Sequence, residues 1–85
     1  LFLETISGGP ADSPYAQLKG SAMITGSYEP SFGLDGAVKD SELIIAAMRD
    51  AGTSLSLMSG VHDLMRYAAD LGHAKKDMAA VRHAF

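Results

Sequence analysis

An apolar stripe at helical spacing constrains this chain more than any other feature. Leu34, Ala37 and Val38, Ser41, Ile44 and Ile45, Met48 and Ala51 recur every three or four residues, and Gly52 comes next. That is the period of an α-helix with one buried face, and a strand's period of two does not fit it. The helix is expected over about Leu34 to Ala51, with Gly52 as its C-cap. The remaining segments read the same way. Residues 1–7 look like the tail of a helix that Gly8-Gly9-Pro10 ends. Ser13-Pro14 restarts one, with Ser as N-cap and Pro at the first helical position. Its face is read as Tyr15, Leu18 and Ala22, and Gly26 closes it. Residues 26–33 form a loop rich in Gly, Ser and Pro. A fourth helix is expected over about Ser56 to Leu71. Its apolar face is Leu57, Val61, Leu64, Met65, Ala68 and Leu71, its wet face Ser59, Asp63, Arg66 and Asp70, and Gly72 ends it. A loop from His73 to Lys76 leads to Asp77, the N-cap of a short last helix carrying Met78, Val81 and Phe85. No segment alternates apolar and polar residues long enough for a strand. The fold class is all-α, with four or five helices joined by short loops.

Composition narrows the function classes. The chain has 85 residues, enough for one domain or a piece of one, and such a chain buries roughly 60% of its unfolded surface. A formal charge of −3 and no basic stripe argue against nucleic acid as a partner. There is no cysteine, so disulfides and thiolate metal sites are excluded. The same absence accords with a reducing cytosol, and a cytoplasmic location is the expectation. No apolar run approaches the roughly 18 residues of a membrane span. His62, His73 and His83 are too widely spaced for a helical metal pair, and no His-Glu-x-x-His is present, so no metal site is expected. Gly-x-Gly-x-x-Gly, Walker-type and Gly-x-Ser-x-Gly signatures are missing as well. Leu1-Phe2-Leu3 has no initiating Met and no basic segment before it. The expectation is a fragment that begins inside a helix.

The stretch Pro30-Ser31-Phe32-Gly33-Leu34-Asp35-Gly36-Ala37-Val38-Lys39-Asp40 carries the chemistry. It puts a ring, a cation and an anion at the head of the long helix. Phe32, Gly36 and Asp40 are four residues apart and so share a face on a helix. Gly36 would leave a notch there with no side chain, as a surface that receives a ligand requires. Read one at a time, these residues have plainer roles. Lys39 and Asp40 suit a solvated pair on a helix surface, and Phe32 a hydrophobic staple. Asp77 suits a cap, and His73 an exposed loop histidine or a partner for the helix C-terminal dipole. The methionines suit core packing.

Taken in order, the motifs resemble the C-terminal domain of the β-hydroxyacid dehydrogenases. That family includes 3-hydroxyisobutyrate dehydrogenase, tartronate semialdehyde reductase and the glyoxylate/succinic semialdehyde reductases, and is related to 6-phosphogluconate dehydrogenase. The resemblance rests on Pro30-x-Phe32, Leu34, Lys39-Asp40 and the run Leu43-Ile44-Ile45-Ala46-Ala47. A second marker is Gly72-His73-Ala74-Lys75-Lys76-Asp77-Met78-Ala79-Ala80-Val81. Ser13 and the helix to Met23 also fit. The match covers nearly the whole chain.

The resemblance implies a helical bundle like the 6-phosphogluconate dehydrogenase C-terminal domain. Residues 1–85 would be the substrate and dimerisation domain of a longer two-domain enzyme. NAD or NADP would be bound mainly by an N-terminal Rossmann domain absent from this chain. The family's catalytic lysine lies in a Lys-x-x-x-Asn motif, and this chain has no Asn. The fragment alone is therefore expected to be inactive. Lys39 corresponds to the lysine that reaches the dinucleotide. Asp40 corresponds to the carboxylate that supports the active-site lysine from across the cleft. Phe32 corresponds to the aromatic near nicotinamide and substrate, and Gly36 would leave room in the substrate pocket. The implied substrate is a small 3-hydroxy acid or a semialdehyde, in a homodimer or tetramer. Two departures stand out. Leu55-Ser56-Leu57 replaces the family's Leu-Pro-Leu, and residues 34–38 are more polar than the usual aliphatic run. A second reading of the same residues is a standalone helical interaction module, with Phe32 and the Met-rich faces serving a partner.

Overall fold

The computed structural model describes residues 1–85. Ser13 starts the second helix as its sequence predicts, with extended backbone and its Oγ accepting from Ala16 N at 2.9 Å. The helices are α1 (Phe2–Ile6), α2 (Pro14–Thr25), α3 (Leu34–Asp50) and α4 (Ser56–Ala68). A π-helical turn, Ala69–His73, extends α4, and a 3-10 helix, Met78–Ala84, closes the chain. There is no strand, only one antiparallel bridge between Gly33 and Asp77. The all-α reading holds. No helix is long and apolar enough to cross a membrane.

α3 and α4 pack on each other, and the 3-10 helix fills the corner that they make with α2. The core is small: Leu34, Ala37, Val38, Met65, Ala68 and Ala80, flanked by Tyr28, Ala69, Met78, Val81 and Ala84. The first two turns of the α3 stripe are therefore buried as the spacing predicts. Ser41 lies inside too, and donates its hydroxyl to Val38 O at 2.6 Å. Farther along, Ile44 is exposed and Ile45 and Met48 are half-buried, because α3 runs beyond the elements that could cover it.

Four expectations need correction. In α2 the inward position is Lys19, while Tyr15 and Leu18 are exposed. A buried carboxylate opposite α2 sets that rotation, since a charge inside must meet its counter-ion. In α4 only Met65 and Ala68 of the apolar face are buried; Leu57, Val61, Leu64 and Leu71 remain exposed. The α-helix stops at Ala68 rather than near Leu71, where the backbone widens into a π turn. Gly72 makes that turn possible, with φ of 107°. Finally, Phe85 is exposed, and the 3-10 helix buries Ala79 and Ala80 instead.

Candidate functional site

Two segments far apart in sequence build the head of α3. Leu34 N donates to Lys76 O at 2.8 Å, and Asp35 N to Ala74 O at 2.9 Å. Those carbonyls satisfy helix N–H groups that have no partner inside the helix, and Gly33 supplies no side-chain cap. Asp77 N donates to Tyr28 O at 3.0 Å, and Met78 N to Phe32 O at 2.8 Å. The Phe32 to Asp40 stretch and the Gly72 to Val81 stretch are thus one unit, stitched through main-chain hydrogen bonds.

Asp77 is the N-cap of the last helix, accepting from Ala79 N at 2.9 Å. It also does what its sequence position alone does not reveal. Its Oδ1 accepts from Ser31 N at 3.1 Å, Ser31 Oγ at 3.1 Å and Phe32 N at 3.3 Å. Lys19 Nζ donates to Oδ1 at 2.9 Å and to Oδ2 at 2.8 Å. Asp77 is 3% exposed. Burial pushes its pKa up, yet the Lys19 ammonium and the Ala79, Ser31 and Phe32 N–H groups outweigh that and hold it well below the usual carboxylate range. A sequence signal for Lys19 existed. It falls four residues after Tyr15 and three before Ala22, on the side of α2 read as inward.

The four residues singled out in the sequence divide into two places. The Phe32 ring lies over Gly36, where an added Cβ would sit 3.1 Å from Phe32 Cζ. The notch expected at Gly36 is therefore filled by Phe32 itself, because a ring held at the helix start has no nearer surface to cover. Phe32 is 45% exposed, so part of the ring remains open. Asp40 is one turn beyond Gly36 on that face, exposed and without a side-chain hydrogen bond or ion pair.

Lys39 lies elsewhere, in a cleft of about 430 Å³ between α3 and α4, lined with Asp35, Glu42, Arg66 and Asp70 among others. Each carboxylate there meets a basic side chain, and two of them share Arg66. Asp35 binds Lys75 at 2.7 Å, and that bond, with the Gly36 N–H, lowers its pKa. Glu42 meets His62 at 3.1 Å and Arg66 at 3.6 Å, and Asp70 meets Arg66 at 3.6 Å. Lys39 makes no ion pair of its own, although it sits among three carboxylates of which two share Arg66.

His73 differs from its expected place. It is half-buried and stacks on His83, with ring centroids 4.0 Å apart and planes 6° from parallel. Its Nδ1 is enclosed without a hydrogen-bond partner. Burial, then the charges of His83 and Lys76, push its pKa down. No three metal-ligating side chains converge anywhere in the chain.

Comparison with known proteins agrees with this architecture. The crystal structure of 3-hydroxyisobutyrate dehydrogenase from Salmonella typhimurium superposes with a TM-score of 0.87 and 23% sequence identity. The superposition covers 99% of this chain and 30% of the Salmonella protein, so the fold is shared and the chain spans about a third of that relative's length. No curated protein matches the chain. The sequence profile of the family described as "NAD-binding of NADP-dependent 3-hydroxyisobutyrate dehydrogenase" matches residues 1–85. With that match along its whole length, the chain belongs to the NAD-binding domain family of the 3-hydroxyisobutyrate dehydrogenases.

Proposed function

We propose that this chain is the helical C-terminal domain of an NAD(P)-dependent β-hydroxyacid dehydrogenase, and that it forms one wall of the active-site cleft. The reaction is oxidation of a small 3-hydroxy acid or reduction of a semialdehyde. The observation that carries this reading is Lys39, placed in that cleft without an ion pair of its own. An ammonium so placed attracts a phosphate of NAD or NADP. Bound cofactor supplies the hydride acceptor or donor. The chain's own residues bind and orient. Lys39 holds the anionic end, the open part of the Phe32 ring borders nicotinamide and substrate, and Gly36 gives that ring its seat. Asp40, free of any partner within the chain, is available to a lysine on the facing domain. There its charge orients the ammonium and sets the pKa at which that lysine gives and takes the proton on the substrate oxygen.

The second wall is then a Rossmann domain of the same protein, and a homodimer or tetramer covers further apolar surface. The exposed Leu43, Ile44, Leu57 and Val61 support such neighbours. The test is kinetic. Full-length protein is assayed with 3-hydroxyisobutyrate and related hydroxy acids, with NAD and with NADP. Oxidation with at least one cofactor is expected. Asp40→Asn is expected to lower kcat by about 10²-fold and to shift the pH profile, as loss of a group that tunes an acid/base does. A wild-type profile in that variant would remove Asp40 from the site.

A further inference from the structure

We propose that Lys19 and Asp77 are positioning residues for dinucleotide binding, acting through Phe32. The proposal rests on the reading that Phe32 borders the bound dinucleotide. Lys19 and Asp77 lie 58 positions apart, and their side chains are 12% and 4% exposed. Burying two charges is a poor way to gain stability, since an apolar pair of similar volume does as well or better. What the pair adds is direction.

The direction is set at one peptide unit. The Phe32 N–H donates to Asp77 Oδ1, and the Phe32 carbonyl accepts from Met78 N. Both main-chain groups of Phe32 are therefore held by adjacent residues of one segment. Ser31 is tied to the same carboxylate through its N–H and its hydroxyl, and Lys19 Nζ also donates to Ser31 Oγ at 3.0 Å. With its backbone held on both sides, Phe32 starts its side chain from a defined point, and the ring lies across Gly36.

Only a carboxylate completes this arrangement. Oδ1 receives Ser31, Phe32 and Lys19, while Oδ2 receives Lys19 and Ala79 N. An amide in its place would point hydrogen-bond donors at one of those sets. Lys19 balances the charge and spans both oxygens. The order of action runs from α2 through Lys19 to Asp77, then to the Phe32 peptide and its ring. None of the three steps requires Lys19 or Asp77 to touch a ligand.

The test uses the full-length protein and titration calorimetry with NADH and NADPH. The variants are Lys19→Met, Lys19→Arg, Phe32→Ala and the double variant Lys19→Met/Phe32→Ala. Lys19→Met is expected to weaken the tighter-binding dinucleotide about tenfold, and by less than about twofold when Phe32 is already Ala. Lys19→Arg is expected to recover most of the loss, because a guanidinium can also span both oxygens. Equal losses in the two backgrounds, or no loss at all, would overturn the proposal and leave the pair a purely structural clasp. Should Lys19→Met fail to fold, Ser31→Ala removes only the hydroxyl links. It is expected to weaken binding about threefold, again only while Phe32 is present, and an additive loss overturns the proposal equally. If Phe32→Ala alone leaves affinity unchanged, the assignment of Phe32 to the bound dinucleotide fails and the proposal falls with it. If the unaltered protein binds neither dinucleotide, the cofactor reading of the cleft itself fails, and the proposal with it.

Discussion

A methyl group added at position 36 would meet the Phe32 ring, since an ideal Cβ there lies 3.1 Å from Phe32 Cζ. Two effects oppose one another. Alanine favours the helix over glycine by about 1 kcal/mol. Moving the ring costs part of that, although a partly exposed side chain can swing. Gly36→Ala is therefore expected to raise stability by about 0.5 kcal/mol, read by denaturant unfolding. The same variant is expected to raise KM in the full-length enzyme, because under the proposed function the ring it displaces borders the bound cofactor. A KM unchanged in that variant would separate Gly36 from the site. The Phe32–Gly36 contact was half legible in the sequence: spacing put the two on one face, but an absent side chain reads equally as room for a ligand or as room for a neighbour. The capping role of Asp77 was legible because a cap is a local matter. Its ion pair with Lys19 was not, since helical periodicity does not say which distant segment a face will meet.

Between elements, α3 and α4 are joined by a titratable link, and the π turn and the 3-10 helix by another. His62 Nε2 lies 3.1 Å from Glu42 and Nδ1 3.3 Å from Asp63. The Glu42 hydrogen bond, then that of Asp63, raises the His62 pKa above 6.5. The folded state therefore holds this proton more tightly than the unfolded chain. The stabilisation is complete below pH 6.5 and is lost as pH rises through the raised value. His73, on the π turn, behaves oppositely. Burial lowers its pKa below 6.5, so its contribution is complete above pH 6.5 and is lost as pH falls through the lowered value. The two contributions thus fall away on opposite sides of 6.5. Melting temperature against pH is expected to fall less steeply just above that value in His62→Gln and less steeply just below it in His73→Phe, while the deeper acid loss carried by Asp77 remains in both. An alkaline decline as steep in His62→Gln as in the unaltered protein would dissociate that link from stability. Residue types marked both ends of α3 and the start of α4, but not the change of helix type after Ala68. A single π turn, closed i to i+5, adds only one residue to a turn, too short a change for an apolar pattern to reveal, and only the left-handed Gly72 betrays it. The last helix starts with an i to i+3 bond, Ala80 N to Asp77 O at 2.9 Å, which residue type alone does not choose over an α turn.

For its mass the molecule is open. Its accessible surface is 5677 Å², whereas a folded monomer of 8.9 kDa exposes about 4800 Å². Its radius of gyration is 14.2 Å, against about 12 Å for a compact 85-residue domain. The surplus surface slightly exceeds what one partner contributes to a standard interface, about 800 Å². The exposed Leu57, Val61 and Leu64 of α4, read from spacing as core, belong to that surplus. Periodicity shows that a face is apolar, and it does not show whether the chain itself or a neighbour covers it. An open body whose cleft holds a lysine without an ion pair fits the proposed single wall of a two-walled site. The most direct test of that claim is the affinity of full-length protein for NADH and NADPH, with and without Lys39→Ala. The substitution removes the cleft cation that makes no ion pair and is expected to weaken the preferred dinucleotide at least about tenfold, as loss of a charge-assisted contact does. It is expected to leave the melting temperature unchanged, since Lys39 supports nothing else. Identical affinities in the two proteins would contradict the account.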